Sequence, residues 1–239
     1  MRANAALMNV LDILRLQALP QALVGGGAVY QTVWNALTGR PAWYGVKDID
    51  VIYFDDTDLS YEGEDTVIRR VGALMCDAPV PVEIRNQARV HLWFGEKFGF
   101  DVAPLKSSAE ALTRYASRTH AVAVALEDDR HLRIEAPFGL DDLFAFCVTP
   151  NRLGKSRQAH IEKGERARRV WPEVEVMPWA DEDGRGDLTN PVVGEPETRP
   201  VVSNIRYSHN IYYGTFITNN KCGHGRVELQ KASLEPFRI

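Results

Sequence analysis

The stretch from Leu23 to Phe54, LVGGGAVYQTVWNALTGRPAWYGVKDIDVIYF, constrains the fold more than any other part of the chain. A short apolar segment, Ala22 to Val24, runs into Gly25, Gly26 and Gly27. Val29, Val33 and Leu37 then recur on one face at i, i+4 and i+8, which predicts a helix starting near Ala28. Glycine tolerates positive φ and lets a backbone come close to a ligand. A glycine turn feeding a helix leaves unpaired N–H groups aimed at one point, an arrangement suited to phosphate. The stretch closes on Asp48-Ile49-Asp50-Val51-Ile52-Tyr53-Phe54, whose β-branched and aromatic residues predict a strand. Alternation along a strand puts Asp48 and Asp50 on one face and Ile49 and Val51 on the other, toward a core. Two neighbouring carboxylates repel unless a cation lies between them. Their spacing suits Mg²⁺, which takes one or two carboxylates together with substrate phosphates. A phosphate cradle beside such a pair implies phosphoryl or nucleotidyl transfer.

Glycines, a helix and Asp-x-Asp on a strand resemble the signature of the nucleotidyltransferase superfamily, with its DNA polymerase β-like fold. LVGGGAVYQTVW is similar to the glycine motif of tRNA nucleotidyltransferases and poly(A) polymerases. VGGGAVYQTVWNALTGRP, DIDVIYFD, VEIRNQARVHLWF, APFGLDDLFAFCVTPN and WPEVEVMPW together resemble a bacterial family of nucleotidyltransferase-like proteins, over about residues 7 to 179. The resemblance implies roles. Gly26 and Gly27, with Gly25 before them, would cradle the phosphates of a nucleoside triphosphate. Asp48 and Asp50 would hold Mg²⁺ or Mn²⁺. A third carboxylate on a later strand would bind the metal on the acceptor side, as a third metal ligand, and help deprotonate the attacking hydroxyl. Glu83, in Val82-Glu83-Ile84, fits that position, and Asp101, in Phe100-Asp101-Val102, has the same local pattern. One departure is the gap of about twenty residues between the glycines and Asp48. The superfamily's gap is shorter, and Thr38 to Lys47 reads as an inserted loop near the substrate.

The rest of the chain supplies the frame. Leu7, Val10, Leu11 and Leu14 predict an amphipathic helix that Pro20 ends. Ser60 can cap a helix over Tyr61 to Met75, with Val67, Val71 and Leu74 on one face. A helix between two strands reads as a crossover, so the sheet holds a parallel pair. Val80 to Arg85 predicts the next strand, with Pro81 marking an edge or a strand start. Arg85, Asn86, Gln87, Arg89 and His91 offer groups for phosphate or base, or simply face water. Ser107 and Ser108 cap a short helix, and Thr119 to Leu126 and His131 to Glu135 predict a hairpin. A short helix over Leu140 to Phe146 carries Asp141 and Asp142 in its first turn, where acids favour the dipole. Lys155 to Val170 predicts a basic helix that lines a nucleotide path or is simply solvated. Val174 to Met177 predicts a last short strand.

From Ala180 turn formers and charges replace the apolar pattern. The expected division is therefore a nucleotidyltransferase-like domain over 1–179 and an extension over 180–239, with strands near Asn204 to Ile217. The net charge of −4 gives no broad attraction to nucleic acid. Cys76, Cys147 and Cys222 form no C-x-x-C pair, which suits a reducing cytoplasm. Cys222-Gly223-His224 is a two-ligand fragment, too little for zinc. Asp12 and Arg15 interrupt the first apolar segment, so neither a signal peptide nor a membrane span is expected. The expected fold is α+β: a mixed β-sheet flanked by helices, with a C-terminal extension. The expected activity is metal-dependent transfer of a nucleotidyl group from a nucleoside triphosphate to an acceptor that the sequence does not name. The same residues also fit a non-catalytic relative that binds nucleotide or a partner protein as a regulator.

Overall fold

The computed structural model describes residues 1–154 and 156–179, together with the backbone of two strands over 200–208 and 211–218. Helix α1 (Ala5–Gln17) is capped by Asn4, whose Oδ1 accepts from Leu7 N. It ends at Ala18 in the left-handed conformation, two residues before Pro20. Strand β1 (Leu23–Gly25) leads through Gly26 into α2 (Gly27–Leu37), and β2 (Ile49–Tyr53) follows the 38–48 connection. Helix α3 (Tyr61–Ala73), capped by Ser60, crosses to β3 (Val82–Asn86). A 3-10 turn over Gln87–Arg89 opens α4 (Val90–Phe98), and α5 (Ser108–Leu112) starts from the Ser107 cap. A hairpin of β4 (Ala123–Leu126) and β5 (Leu132–Glu135) precedes α6 (Asp141–Phe144) and β6 (Cys147–Val148). Helix α7 (Arg157–Val170) then leads to β7 (Glu175–Val176), which pairs in parallel with β6.

The main sheet has the order β3-β2-β1-β4-β5. The β2–β3 pair across α3 is parallel, as the crossover requires, and the other three pairs are antiparallel. Pro81 precedes β3, and β3 is an edge strand. The sheet is mixed and helix-flanked, the α+β architecture that the sequence predicts.

Both faces of the sheet are covered at its centre. Val24, Ile49, Val51 and Ile84 are buried on one side. On the other, Leu23, Ile52, Phe54 and Ala123 pack with Ala88, Leu105, Ala111, Leu112 and Ala121. Asp50 stands on this second face, where that packing stops. The apolar face of α3 differs from the expected one: Val71 is fully buried, but Leu74 is 49% exposed, and Glu64 and Met75 take the covered positions. Glu64 can face inward because Arg89 pairs with it. The predicted strand over Thr119 to Leu126 is shorter than expected, since Arg118–His120 forms a 3-10 turn. The chain divides into two units, one of residues 1 and 3–179 and the other of residues 2 and 180–239. In the second, β8 (Pro200–Ser208) and β9 (Ile211–Thr218) pair antiparallel. The expected linker from Ala180, the Cys222–His224 fragment and Lys155 lie outside the described residues.

Candidate active site

The sheet register brings the sequence-predicted residues into one row. Glu83 on β3 is the register partner of Asp50 on β2, and Asp50 is the partner of Gly25 on β1. Gly25 in turn lies beside Ala123 on β4. Asp48 immediately precedes β2, where Ile49 N donates to Pro81 O at 2.9 Å. Ile49 and Val51 are fully buried and the two aspartates only partly so, as alternation predicts.

The three glycines do different things. Gly26 has φ +59° and donates its N–H to Val122 O at 2.8 Å. That amide is thus used inside the protein. Among the described residues, Gly27 N and Ala28 N, the first two of α2, make no backbone hydrogen bond. They are the amides left open at the helix N-terminus. A side chain on Gly26 would begin 3.6 Å from Asp50 Oδ2 and 3.4 Å from Tyr115 Cε2, so the glycine turn and the carboxylate share one notch.

Asp50 carries the electrostatic signature of the site. Burial, then the charge of Asp48, pushes its carboxyl up to about 6, with Glu83 adding to the rise and Lys163 and Arg85 opposing it. Among the described residues no hydrogen bond helps to hold that charge. A partly buried carboxylate crowded by two others is a set that a divalent cation relieves. Among the described residues no three His, Cys, Asp or Glu side chains gather at metal-binding spacing. The residues that could hold a divalent cation are therefore a carboxylate pair, Asp48 and Asp50, which would leave the remaining ligands to be supplied from outside the chain. Glu83 lies beside Asp50 in the register, with its carboxylate 3.7 Å from Arg85. Asp101 lies outside any strand, exposed, with its carboxylate against Gly95 of α4.

Two groups that sequence reasoning left undecided or missed belong here. On α7, His160, Gly164 and Ala167 are buried, and Lys163 lies beside them. The Lys163 charge acts on Asp50, and Arg166 donates to Gly45 O at 2.6 Å. The basic helix thus turns one flank to the carboxylates, and Arg166 helps to hold the 38–47 loop. Asn35 Nδ2 pins the same loop by donating to Ala42 O and Tyr44 O. The second group is His120, buried and stacked on Tyr30 at 4.6 Å, with neither ring nitrogen hydrogen-bonded among the described residues. Burial, then the nearby Lys163, pulls it down to about 3, so it is neutral near pH 7.

Other polar residues of the predicted set are structural. Arg89 is buried in an ion pair with Glu64 and donates to Leu59 O. The side chain of Asn86 donates to Asp55 O and accepts from Asp55 N and Ala88 N. Ser117 and His160 form a hydrogen-bonded pair at 2.7 Å, but both are buried, and His160 Nε2 donates to Met177 O. That pair ties α7 to the 116–118 segment and offers no exposed nucleophile.

A family model described as nucleotidyltransferase matches residues 12–176, well over half of the chain. The chain belongs to this nucleotidyltransferase family. A solved structure described as an NMR structure that reveals a CCA-adding enzyme head domain is 24% identical, with a TM-score of 0.60. The match covers 74% of this chain and 91% of that one, and it shows a shared fold. No curated protein matches the chain. The family supports nucleotidyl transfer in general as the chemistry. No helix among the described residues is long and apolar enough to cross a membrane.

Proposed function

We propose that the protein transfers a nucleotidyl group from a nucleoside triphosphate to an acceptor hydroxyl, with Mg²⁺ or Mn²⁺ held by Asp48 and Asp50. The observation that carries the reading is the notch at Gly26: Asp50, crowded by Asp48 and without a hydrogen bond among the described residues, lies by the turn whose next two amides make no backbone hydrogen bond there. The N–H groups of Gly27 and Ala28 meet a phosphate at the positive end of α2. Lys163 supplies a cation on the α7 side. The ion, when bound, supplies charge neutralisation for the phosphates and for the attacking and leaving oxygens. Glu83, across from Asp50, takes the acceptor side and receives or orients the hydroxyl proton. The acceptor oxygen forms a bond to the α-phosphorus, the α–β phosphoanhydride bond breaks, and pyrophosphate leaves.

Titration calorimetry with each nucleoside triphosphate, with and without Mg²⁺, tests the binding half. Pyrophosphate release across a screen of RNA ends, protein side chains and small alcohols tests the transfer half. Asp48→Asn should abolish Mg²⁺-dependent binding. Binding without release on any acceptor would instead support a nucleotide-binding regulator.

A further inference from the structure

Gly25 lies inside the sheet, and its lack of a side chain is matched by one neighbour. A Cβ there would sit 3.1 Å from the Tyr115 hydroxyl oxygen, closer than side chains ordinarily pack. The same ring lies 3.4 Å from the Cβ position of Gly26, and Asp50 Oδ2 lies 3.6 Å from that same point. Tyr115 therefore covers the glycine turn and forms one wall of the notch that Asp50 closes. It reaches that place from a fixed backbone: Asn151 Nδ2 donates to both Thr113 O and Tyr115 O at 2.7 Å, and Asn151 is buried. Its ring packs on the apolar cluster around Leu112 and Ala123. Among the described residues its hydroxyl has no hydrogen-bond partner, although a half-buried phenol ordinarily finds one.

The register fixes which side of the site Tyr115 serves. Glu83 is on one side of Asp50, and Gly25, under the tyrosine, is on the other. Tyr115 thus stands away from the acceptor side, over the turn assigned to the phosphates. A phenol is protonated at neutral pH. It can donate a proton to a hydrogen bond but cannot act as a base.

We propose that Tyr115 is a binding residue for the donor nucleotide, giving its hydroxyl hydrogen bond to a phosphate oxygen seated on the Gly25–Gly27 turn. The proposal rests on the nucleotidyltransferase reading above. A contact to phosphate is common to every donor nucleotide, so the effect of removing it is the same for ribo- and deoxyribonucleotides.

The test is titration calorimetry of full-length wild type, Tyr115→Phe and Gly25→Ala with Mg²⁺ and the triphosphate that wild type binds best, alongside its deoxy counterpart. Tyr115→Phe keeps the ring and removes the donor, and a charge-assisted hydrogen bond of this kind predicts about a 10-fold weaker affinity for both sugars. Gly25→Ala keeps the hydroxyl but pushes it aside, and should weaken binding in the same way even if Tyr115→Phe fails to fold. The double variant should be no weaker than either single variant, because the methyl then has no hydroxyl to displace. Unchanged affinity in folded Tyr115→Phe overturns the proposal while leaving the wider reading intact. A loss confined to the ribonucleotide also overturns it, by moving the contact to the sugar. Wild type that binds no nucleotide overturns both.

Discussion

Asp50→Asn should make the metal-free protein more stable at neutral pH. The Asp50 carboxyl is pushed up to about 6 from an ordinary value of 3.8 by burial and by the Asp48 and Glu83 charges. An acid whose folded value lies above its unfolded value opposes folding once ionised. The cost is absent below the unfolded value, grows between 3.8 and about 6, and is complete above that window. A rise of roughly two pH units corresponds to about 3 kcal/mol at most. Solvent reaches part of the side chain, so roughly 1–3 kcal/mol is the expected range. Asparagine keeps the shape and removes the charge. At about 2–4 °C per kcal/mol for a protein of this size, the gain in Tm is several degrees. Thermal unfolding of wild type and variant in EDTA, from pH 4 to pH 8, reads it directly. The difference should be largest at pH 8 and close to zero near pH 4. Added Mg²⁺ should raise the wild-type Tm more than the variant's, because the ion binds the folded carboxylate pair. A variant less stable than wild type at pH 8 without metal would refute the reasoning and make Asp50 a structural partner.

Glu83→Gln should leave nucleotide affinity nearly intact and remove turnover, whereas Asp101→Asn, off the sheet, should change neither; calorimetry and pyrophosphate release separate the two, and the reverse pattern would move the third carboxylate to Asp101. Glu64→Ala should cost about 3–5 kcal/mol in urea unfolding, because it strands the buried Arg89 guanidinium. A loss below about 1 kcal/mol would mean that water reaches Arg89. Truncation after Trp179 should leave a folded, nucleotide-binding protein, since residues 3–179 form their own unit. An insoluble or non-binding product would show that the extension completes the domain.

The legible parts of the site are those set by local rules. Asp48 and Asp50 declare themselves because a strand repeats every two residues and paired carboxylates are costly without a reason. Glu83 is legible as an acid between apolar residues, but its place beside Asp50 depends on the parallel register of β2 and β3, which no local pattern encodes. Arg89 and Asn86 look like ligand groups in sequence and are structural in the fold. The partner of Arg89 is 25 residues away on α3, and Asn86 bonds to the Asp55 backbone 31 residues away. The same long-range pairing explains Glu64 on the covered face of α3, which apolar periodicity assigns to Leu74. Tyr115 is illegible for a related reason. Nothing in Leu112-Thr113-Arg114-Tyr115 signals a ligand, and only the docking of that segment onto Ala123 and Gly25 brings its hydroxyl to the site.

The glycine run is legible as a turn but not as a division of labour, and this yields a prediction that an undifferentiated phosphate loop does not make. Gly26 has φ +59° and ψ −124°, a conformation that an L-residue adopts only with strain. Space is not what requires glycine there, because a methyl would sit at ordinary contact distances from Tyr115 and Asp50. Gly26→Ala should therefore cost about 1–3 kcal/mol of stability through the backbone alone. Gly27 has no positive φ, and its nearest neighbour across that space is the Gln31 side chain at 3.4 Å. Gly27→Ala should keep the fold and could gain up to about 1 kcal/mol from helix propensity. It places a methyl beside the open amides without removing either. Thermal unfolding should thus rank Gly27→Ala at or above wild type and Gly26→Ala below it, and nucleotide titration should show Gly27→Ala still binding. Equal destabilisation by both variants would mean that the turn is held by packing at every glycine, and the assignment of the open amides to Gly27 and Ala28 would fall with it.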